Sequence, residues 1–212
     1  IGLGGAPRAG IKLGEGDRDE AGRIFGTAFV LLAALGVVLG CVGYAFARPI
    51  VMLFGCPDSA VDYAAQYLKI YSCGTVFVMA AQGLNPFILT QGYSFIAMAS
   101  VMIGALANIA LDPLFIFVLK MGVEGSATAT VLSQLLSCVC IIGFFCSKRS
   151  LFRIRAGNMK PTAARIGSIL SLGITPFVMT ITECAIQIVF NICLNRSTGG
   201  DKDYTAALTV ML

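Results

Sequence analysis

The sequence has 212 residues, of which 57% are hydrophobic and 12% charged, and its mean hydropathy is +0.86. A soluble domain carries about twice that share of charge, so the composition excludes one and predicts an all-α polytopic membrane protein. The net charge of +4 comes from 15 basic and 11 acidic residues without a dense basic face, which excludes nucleic acid as a partner. Histidine is absent, which excludes His-ligated metals and His-based triads.

Five apolar stretches are long enough to cross a bilayer, which takes about 20 residues of helix. The first lies between Arg23 and Arg48, where no charge occurs. The uncharged stretch 70–111 is long enough for two spans, and the polar and glycine residues at 91–93 predict the break between them. The predicted spans are about 24–47, 63–90, 95–119, 125–147 and 166–194, and a sixth apolar stretch starts near Tyr204.

A long basic segment, 148–165, separates the fourth and fifth spans and is predicted to link two helical bundles. The distribution of Lys and Arg puts this linker and the N-terminal segment in the cytoplasm, because basic loops stay inside. The inner side holds Arg8, Lys12, Arg18, Arg23, Lys148, Arg149, Arg153, Arg155, Lys160 and Arg165, and the outer side holds Arg48, Lys120, Arg196 and Lys202. Since the sequence begins with Ile1 and stops within an apolar stretch, we expect an interior piece of a longer protein.

The first candidate site lies in the third span, where Asp112 follows Asn108 by four residues and precedes Pro113. The spacing puts both polar side chains on one helix face, and a carboxylate at that depth costs about 2.5–3.5 kcal/mol. Pro113 has no N–H, so the carbonyl of Ile109 loses its helical partner. Broken, oxygen-rich helices bind Na⁺ or hold a proton in transporters, so we expect a cation at Asp112 and Asn108. A hydrogen-bonded packing role for the acid remains the alternative.

Thr130 in the fourth span is predicted to lie at the depth of Asp112, roughly 9–12 Å below the outer surface. Gln134 lies about one turn further along the same helix. Both side chains are candidates for lining the same cavity. The alternative is that the hydroxyl of Thr130 bonds back to its own helix and serves packing.

Two further polar stripes are candidates for a substrate cavity. In the second span Gln82, Asn85 and Pro86 share one face. A kinked helix with interhelical amide bonds is the alternative there. The fifth span carries a second deep acid, within the polar stripe Thr180, Glu183, Gln187 and Asn191, which follows Pro176.

Three segments resemble a known family: IKLGEGDRDEAGRIFGTAF, LNPFILTQGYSFIAM and IGALANIALDPLFIFVLKMGVEGSATATVLSQ. They resemble the multidrug and toxic compound extrusion (MATE) transporters, most of all the bacterial branch related to Gram-positive drug exporters. The N-x-x-x-D-P block followed by G-x-x-G-x-A-x-A-T is the most specific piece. The resemblance covers nearly the whole chain and implies twelve helices in two six-helix lobes around a central cleft.

In that layout residues 1–7 resemble the end of helix 2 and the five spans resemble helices 3–7. Residues 1–147 would belong to the N-lobe, 148–165 to the inter-lobe linker and 166–212 to the start of the C-lobe with the beginning of helix 8. Asn108, Asp112 and Thr130 match the family's N-lobe cation site. Glu183 lies where some branches carry a glutamate used in C-lobe coupling.

The resemblance implies an antiporter of the bacterial cytoplasmic membrane, in which Na⁺ or H⁺ enters while a cationic, aromatic drug leaves. Such a protein is not an enzyme, needs no cofactor beyond its coupling ion, and is expected to be monomeric in the lipid bilayer. The alternatives are a lipid-linked oligosaccharide flippase of the same superfamily and a non-transporting membrane scaffold. Flippase cavities tend to hold Arg or Lys for pyrophosphate, and the spans here hold no deep basic residue.

Overall fold

The structure is a computed structural model that describes residues 1–54, 56, 60–147, 149–152 and 162–197, apart from the side chains of 163–164 and 191–197. These residues form helices and no strand, which confirms the all-α prediction. The elements in chain order are α1 (Gly2–Gly14), α2 (Arg18–Ala45), α3 (Ala47–Leu53), α4 (Val61–Thr90), α5 (Ser94–Pro113), a π-helix (Leu114–Val118), α6 (Gly122–Cys146) and α7 (Ala163–Ser197).

Among the described residues, five helices are long and apolar enough to cross a membrane, and they coincide with the five predicted spans. The spans are Arg18–Ala45, Val61–Thr90, Ser94–Val118, Gly122–Cys146 and Arg165–Phe190. The predicted break at 91–93 is confirmed, because α4 ends at Thr90 and α5 begins at Ser94. The sixth stretch near Tyr204 lies outside the described residues.

Two helix boundaries differ from the sequence prediction. The first helix continues beyond residue 7, through Pro7 to Gly14, and α2 then begins at an N-cap where the Asp17 side chain accepts a hydrogen bond from the Glu20 N–H. The loop expected after the first span starts instead with the short helix α3, whose Pro49 sits in the first turn, where a missing N–H costs little.

The long helix α4 is central and contacts α1, α2, α3, α5 and α6, whereas among the described elements α7 contacts α1 and α2. Four fully buried aromatic rings join α2, α4, α6 and the start of the linker at one end of the bundle. The Phe25 ring centroid lies 5.3 Å from that of Phe87, 4.5 Å from that of Phe145 and 5.7 Å from that of Phe152. The linker therefore starts as part of the core.

Candidate functional site

A polar cavity of about 190 Å³ lies between α4, α5 and α6. Its walls include side chains from three different spans that were candidates from the sequence: Gln82, Asn85, Asn108, Thr130 and Gln134. The amides and hydroxyls of these residues give the cavity hydrogen-bonding groups in an otherwise apolar bundle.

Two interhelical hydrogen bonds hold α5 against its neighbours beside this cavity. Asn85 Nδ2 donates to the Ala97 carbonyl over 3.1 Å, and Ser137 Oγ donates to the Ser100 carbonyl over 2.7 Å. Helix α5 approaches α6 at Gly104, where an added Cβ would overlap Ser137 Oγ. Asn85 thus makes the interhelical amide bond that was one of the two alternatives from the sequence. The side chain of Asn85 also lines the cavity.

The polar pair of α5 contains two buried atoms without a hydrogen-bond partner among the described residues, Asn108 Nδ2 and Asp112 Oδ1. A buried polar group left unpaired costs about 1–3 kcal/mol, and more if it is charged. An Asp oxygen accepts hydrogen bonds or ligates a cation, and an Asn amide offers either a donor or an oxygen, depending on its orientation. Both residues are half-buried, and Asn108 lines the cavity.

The helix changes character directly after this pair. Helix α5 ends at Pro113, and the chain continues as a π-helix in which the Leu119 N–H donates to the Leu114 carbonyl over 3.0 Å. Because Pro113 has no N–H, it cannot donate to the Ile109 carbonyl. Short π-helical segments are frequent at functional sites.

The helices α4 and α7 continue past their internal prolines, Pro86 and Pro176. The Pro86 carbonyl accepts a hydrogen bond of 2.7 Å from Thr90 Oγ1, and the Pro176 carbonyl accepts one of 3.0 Å from Thr180 Oγ1. The kinks at these positions stay predictions.

Thr130 lies on the cavity wall, and its hydroxyl donates to the Ser126 carbonyl of its own helix over 2.9 Å. That bond is the one expected from the packing alternative. Because a hydroxyl oxygen also carries acceptor lone pairs, the same side chain still offers an oxygen for a ligand or water.

In the described part of the chain, the polar stripe of α7 does not line this cavity. Thr180, Glu183 and Gln187 are exposed, and α7 packs against α1 and α2 rather than α4, α5 or α6. The side chain of Asn191 lies outside the described residues.

The described residues contain no group of three or more His, Cys, Asp or Glu side chains that could hold a metal ion. Within the described residues, a Na⁺ ion at Asp112 could be bound by amide, hydroxyl and carbonyl oxygens in addition to this carboxylate. The proposed ligation by Asn108 and Asp112 stays a prediction.

The sequence analysis missed Ser137 and Gly104, which also line the cavity. A signal for Ser137 was present, because Thr130, Ser133 and Ser137 follow one another at spacings of three and four on one face of α6. The approach of α5 at Gly104 is a tertiary feature, and no pattern within one helix indicates it.

Comparison with known proteins yields consistent matches. The family model named MatE matches residues 1–114. A Staphylococcus haemolyticus multidrug export protein, MepA, is 26% identical over 194 residues, which are 92% of this chain and 43% of that protein. The chain thus spans less than half the length of the curated relatives it matches. Their names describe export proteins, in agreement with the expected non-enzymatic function.

Two solved structures show the same fold. A chain named protein A superposes with a TM-score of 0.90 at 28% identity, covering 98% of this chain and 47% of that one. A MATE protein in a bent conformation gives a TM-score of 0.82 at 24% identity, covering 94% and 45%. These matches confirm the resemblance and the helical membrane-protein fold that the sequence motifs implied.

Proposed function

Because the chain belongs to the MatE family, we propose that it forms part of a multi-pass exporter that moves cationic, aromatic drugs out of a bacterial cell. The coupling ion is Na⁺ or H⁺, moving inward across the cytoplasmic membrane. Support comes from the multidrug export proteins among its relatives and from five helices long and apolar enough to span a bilayer. The partners are then the lipid bilayer and the drug, and the protein acts as a monomer.

The observation that carries the coupling proposal is Asp112 Oδ1, which has no hydrogen-bond partner in the described part of the chain and lies one helical turn from Asn108 Nδ2, which has none there either. An acid within a membrane span is costly and commonly marks a pathway for ions or substrate. A cation at Asp112 would neutralise the carboxylate, and the oxygens of Asn108 and Thr130, which line the cavity, would complete its surroundings. Pro113 and the π-helix that follows give this part of α5 a backbone with altered hydrogen bonding.

The fluxes of the ion and the drug are coupled because both cations compete for the carboxylate of Asp112. A carboxylate that binds the inward-moving cation is neutral and attracts a cationic drug poorly, whereas a free carboxylate attracts the drug. Each ligand thus favours a different state of the transporter, and alternation between the states links the two fluxes. Gln82, Asn85 and Gln134 would contact the drug on the N-terminal side, and Thr180, Gln187 and Asn191 on the side of α7, where Glu183 would be a second coupling acid.

The cavity walls favour an exporter over the flippase alternative. In the described part of the chain this cavity is lined by amides, hydroxyls and apolar groups, without Lys or Arg. A pyrophosphate group calls for cationic donors, preferably the bidentate guanidinium of Arg. The cavity chemistry is therefore suited to water, a metal or hydronium cation and a cationic substrate.

The test is ethidium efflux from a bacterium that lacks its own drug pumps and expresses the protein from its complete gene. Efflux is followed with imposed Na⁺ or proton gradients for wild type and Asp112→Asn, with Asp62→Asn at an exposed position as the matched control. We expect gradient-driven efflux in wild type and Asp62→Asn, and loss of the gradient dependence in Asp112→Asn. Equal gradient dependence in all three proteins would overturn the role of Asp112, and no efflux in wild type would overturn drug export.

A further inference from the structure

An ion pair joins the beginnings of α2 and α7 at the end of the bundle where the linker lies. Arg165 Nε donates to Glu20 Oε1 over 2.7 Å, and Arg165 Nη2 donates to Glu20 Oε2 over 3.1 Å. This is the bidentate fork geometry that makes an Arg–carboxylate pair strong and directional. Arg165 Nη1 also donates to Thr162 Oγ1 over 3.0 Å, so the guanidinium is oriented from two sides.

The pair is better shielded than the other interhelical ion pair of the described residues. The side chains of Arg165 and Glu20 are 22% and 28% exposed, whereas those of Arg48 and Asp62, which join α3 to α4 at the opposite end, are 63% and 78% exposed. Exposed pairs contribute little because water and salt screen them. Of these two ion pairs, Glu20–Arg165 is therefore the better able to stabilise the arrangement of the helices it joins.

Just beyond this pair, α7 crosses α1 at a contact between backbones. A Cβ added to Gly4 would overlap the Ile169 carbonyl oxygen and would lie 2.6 Å from the Gly173 nitrogen. Ile169 is fully buried there. Small residues at a crossing allow the backbones of membrane helices to approach closely.

Past Gly173, α7 is uncovered by the described chain. From Ile174 to Phe190 its side chains are exposed, except for the half-buried Pro176 and Ile188. At 1.5 Å per residue, the arm from Arg165 to Gly173 is about 12 Å long and the arm from Gly173 to Phe190 about 25 Å. If α7 turns about Gly173, a small displacement of Arg165 therefore produces about twice that displacement at Phe190.

The linker is attached to the N-terminal helices at both of its described ends. At its start, Gln91 Oε1 accepts hydrogen bonds from Ser150 Oγ at 3.1 Å and from the Leu151 N–H at 2.7 Å. At its end, Arg165 reaches Glu20. Of these attachments, the ion pair is the one that fixes α7 itself.

We propose that Glu20 and Arg165 are gating residues of the transport cycle: they form a latch that holds α7 against α1 and α2 on the linker side and keeps the cleft open on the opposite side. Release of the latch lets α7 turn about its crossing with Gly4, so that the linker side opens and the opposite side closes. This inference rests on the proposed function and on the predicted assignment of α7 to the second lobe.

The test measures which side of the cleft is open, independently of drug transport. Cys184 is exposed on the long arm of α7, on the same helical face as Thr180 and Gln187. A membrane-impermeant maleimide is added outside intact cells that express the protein from its complete gene, and labelling of the Cys184 peptide is followed by mass spectrometry. The variants are Glu20→Arg, Arg165→Glu and the double charge swap, with Arg48→Glu and Asp62→Arg as matched controls.

We expect the labelling rate to fall about fivefold or more in each single latch variant and to recover in the double swap. The two control variants should label like wild type. Unchanged labelling in both single variants, or a loss that the double swap does not repair, would overturn the latch. If a single variant does not accumulate in the membrane, Arg165→Lys takes its place, because lysine keeps the charge but cannot form the bidentate hydrogen bond. Labelling of Arg165→Lys at the wild-type rate would then contradict the proposal. Absence of efflux in wild type, measured in parallel, would instead count against the proposed function.

Discussion

Asn85 Nδ2 in α4 donates a hydrogen bond to the carbonyl oxygen of Ala97 in α5, over 3.1 Å, and thereby ties the helix that carries Asp112 to the centre of the bundle. The Ala97 carbonyl also accepts from Ser100 Oγ at 2.8 Å, and the Ser100 carbonyl accepts from Ser137 on α6. This half of α5 is fixed from two sides. Its other half holds Asn108 Nδ2 and Asp112 Oδ1, which lack hydrogen-bond partners among the residues that the structure describes.

Replacing Asn85 by Leu removes the bond between α4 and α5. We expect a loss of about 0.6–1.5 kcal/mol of stability, which is the usual range for one interhelical hydrogen bond in a membrane protein. The measurement is the thermal unfolding midpoint of the purified protein in detergent. Gln66→Leu, at an exposed position of the same helix, is the control. An equal midpoint for Asn85→Leu and wild type would show that the bond does not hold α5.

The contact of Gly104 with Ser137 predicts that substitutions at these two residues have non-additive effects on stability. Gly104→Ala places a methyl group on Ser137 Oγ, and we expect overpacking to cost about 1–3 kcal/mol. Adding Ser137→Gly removes the overlapping atom together with its bond to the Ser100 carbonyl, so we expect this change to cost less in the Gly104→Ala protein than in wild type. Gly143→Ala in α6, where nothing lies within 4 Å, should be neutral or slightly stabilising. Additive losses in the double variant would contradict the close approach of the two helices at this point.

The ring of Phe152 predicts that the first residues of the linker stabilise the helical bundle. Phe152 is fully buried, and its centroid lies 6.1 Å from that of Phe87 in an edge-to-face arrangement. Phe152→Ala should cost about 3 kcal/mol and speed proteolysis within the linker, because a large buried side chain is removed. Leu151→Ala, beside it and 43% exposed, is the comparison. Equal proteolysis rates for these two variants would contradict a docked linker.

The oxygen of Thr130 is predicted to matter for the coupling ion. Thr130→Val keeps the shape and removes the oxygen, so we expect the cation concentration for half-maximal efflux to rise about fivefold, the worth of one hydrogen bond. Thr130→Ser should restore the wild-type value. Thr128→Val, two residues away, is the control, because residues i and i+2 point in different directions. A Thr130→Val protein with the cation dependence of wild type would exclude Thr130 from the site.

The five spans were predictable because a helix that crosses a bilayer needs a long stretch without charged residues. The second span, for example, was predicted at 63–90, and the helix runs over Val61–Thr90. The convergence of Asn108 and Thr130 on one cavity was foreseen in part, because depth in the membrane follows from the number of residues along a helix. The ion pair between Glu20 and Arg165 could not be foreseen. It joins residues 145 positions apart, and no sequence pattern around either residue indicates its partner.

The central claim is that movement of a cation through Asp112 is coupled to movement of the drug. The most direct measurement uses the protein, produced from its complete gene and reconstituted in liposomes, with an imposed ethidium gradient. Movement of radioactive Na⁺ and of protons, the latter by a pH-sensitive dye, is recorded for wild type and Asp112→Asn. We predict that the drug gradient drives one of the two ions in the opposite direction in wild type and neither ion in Asp112→Asn. Ethidium movement without counter-movement of either ion, or equal ion movement in both proteins, would contradict the account.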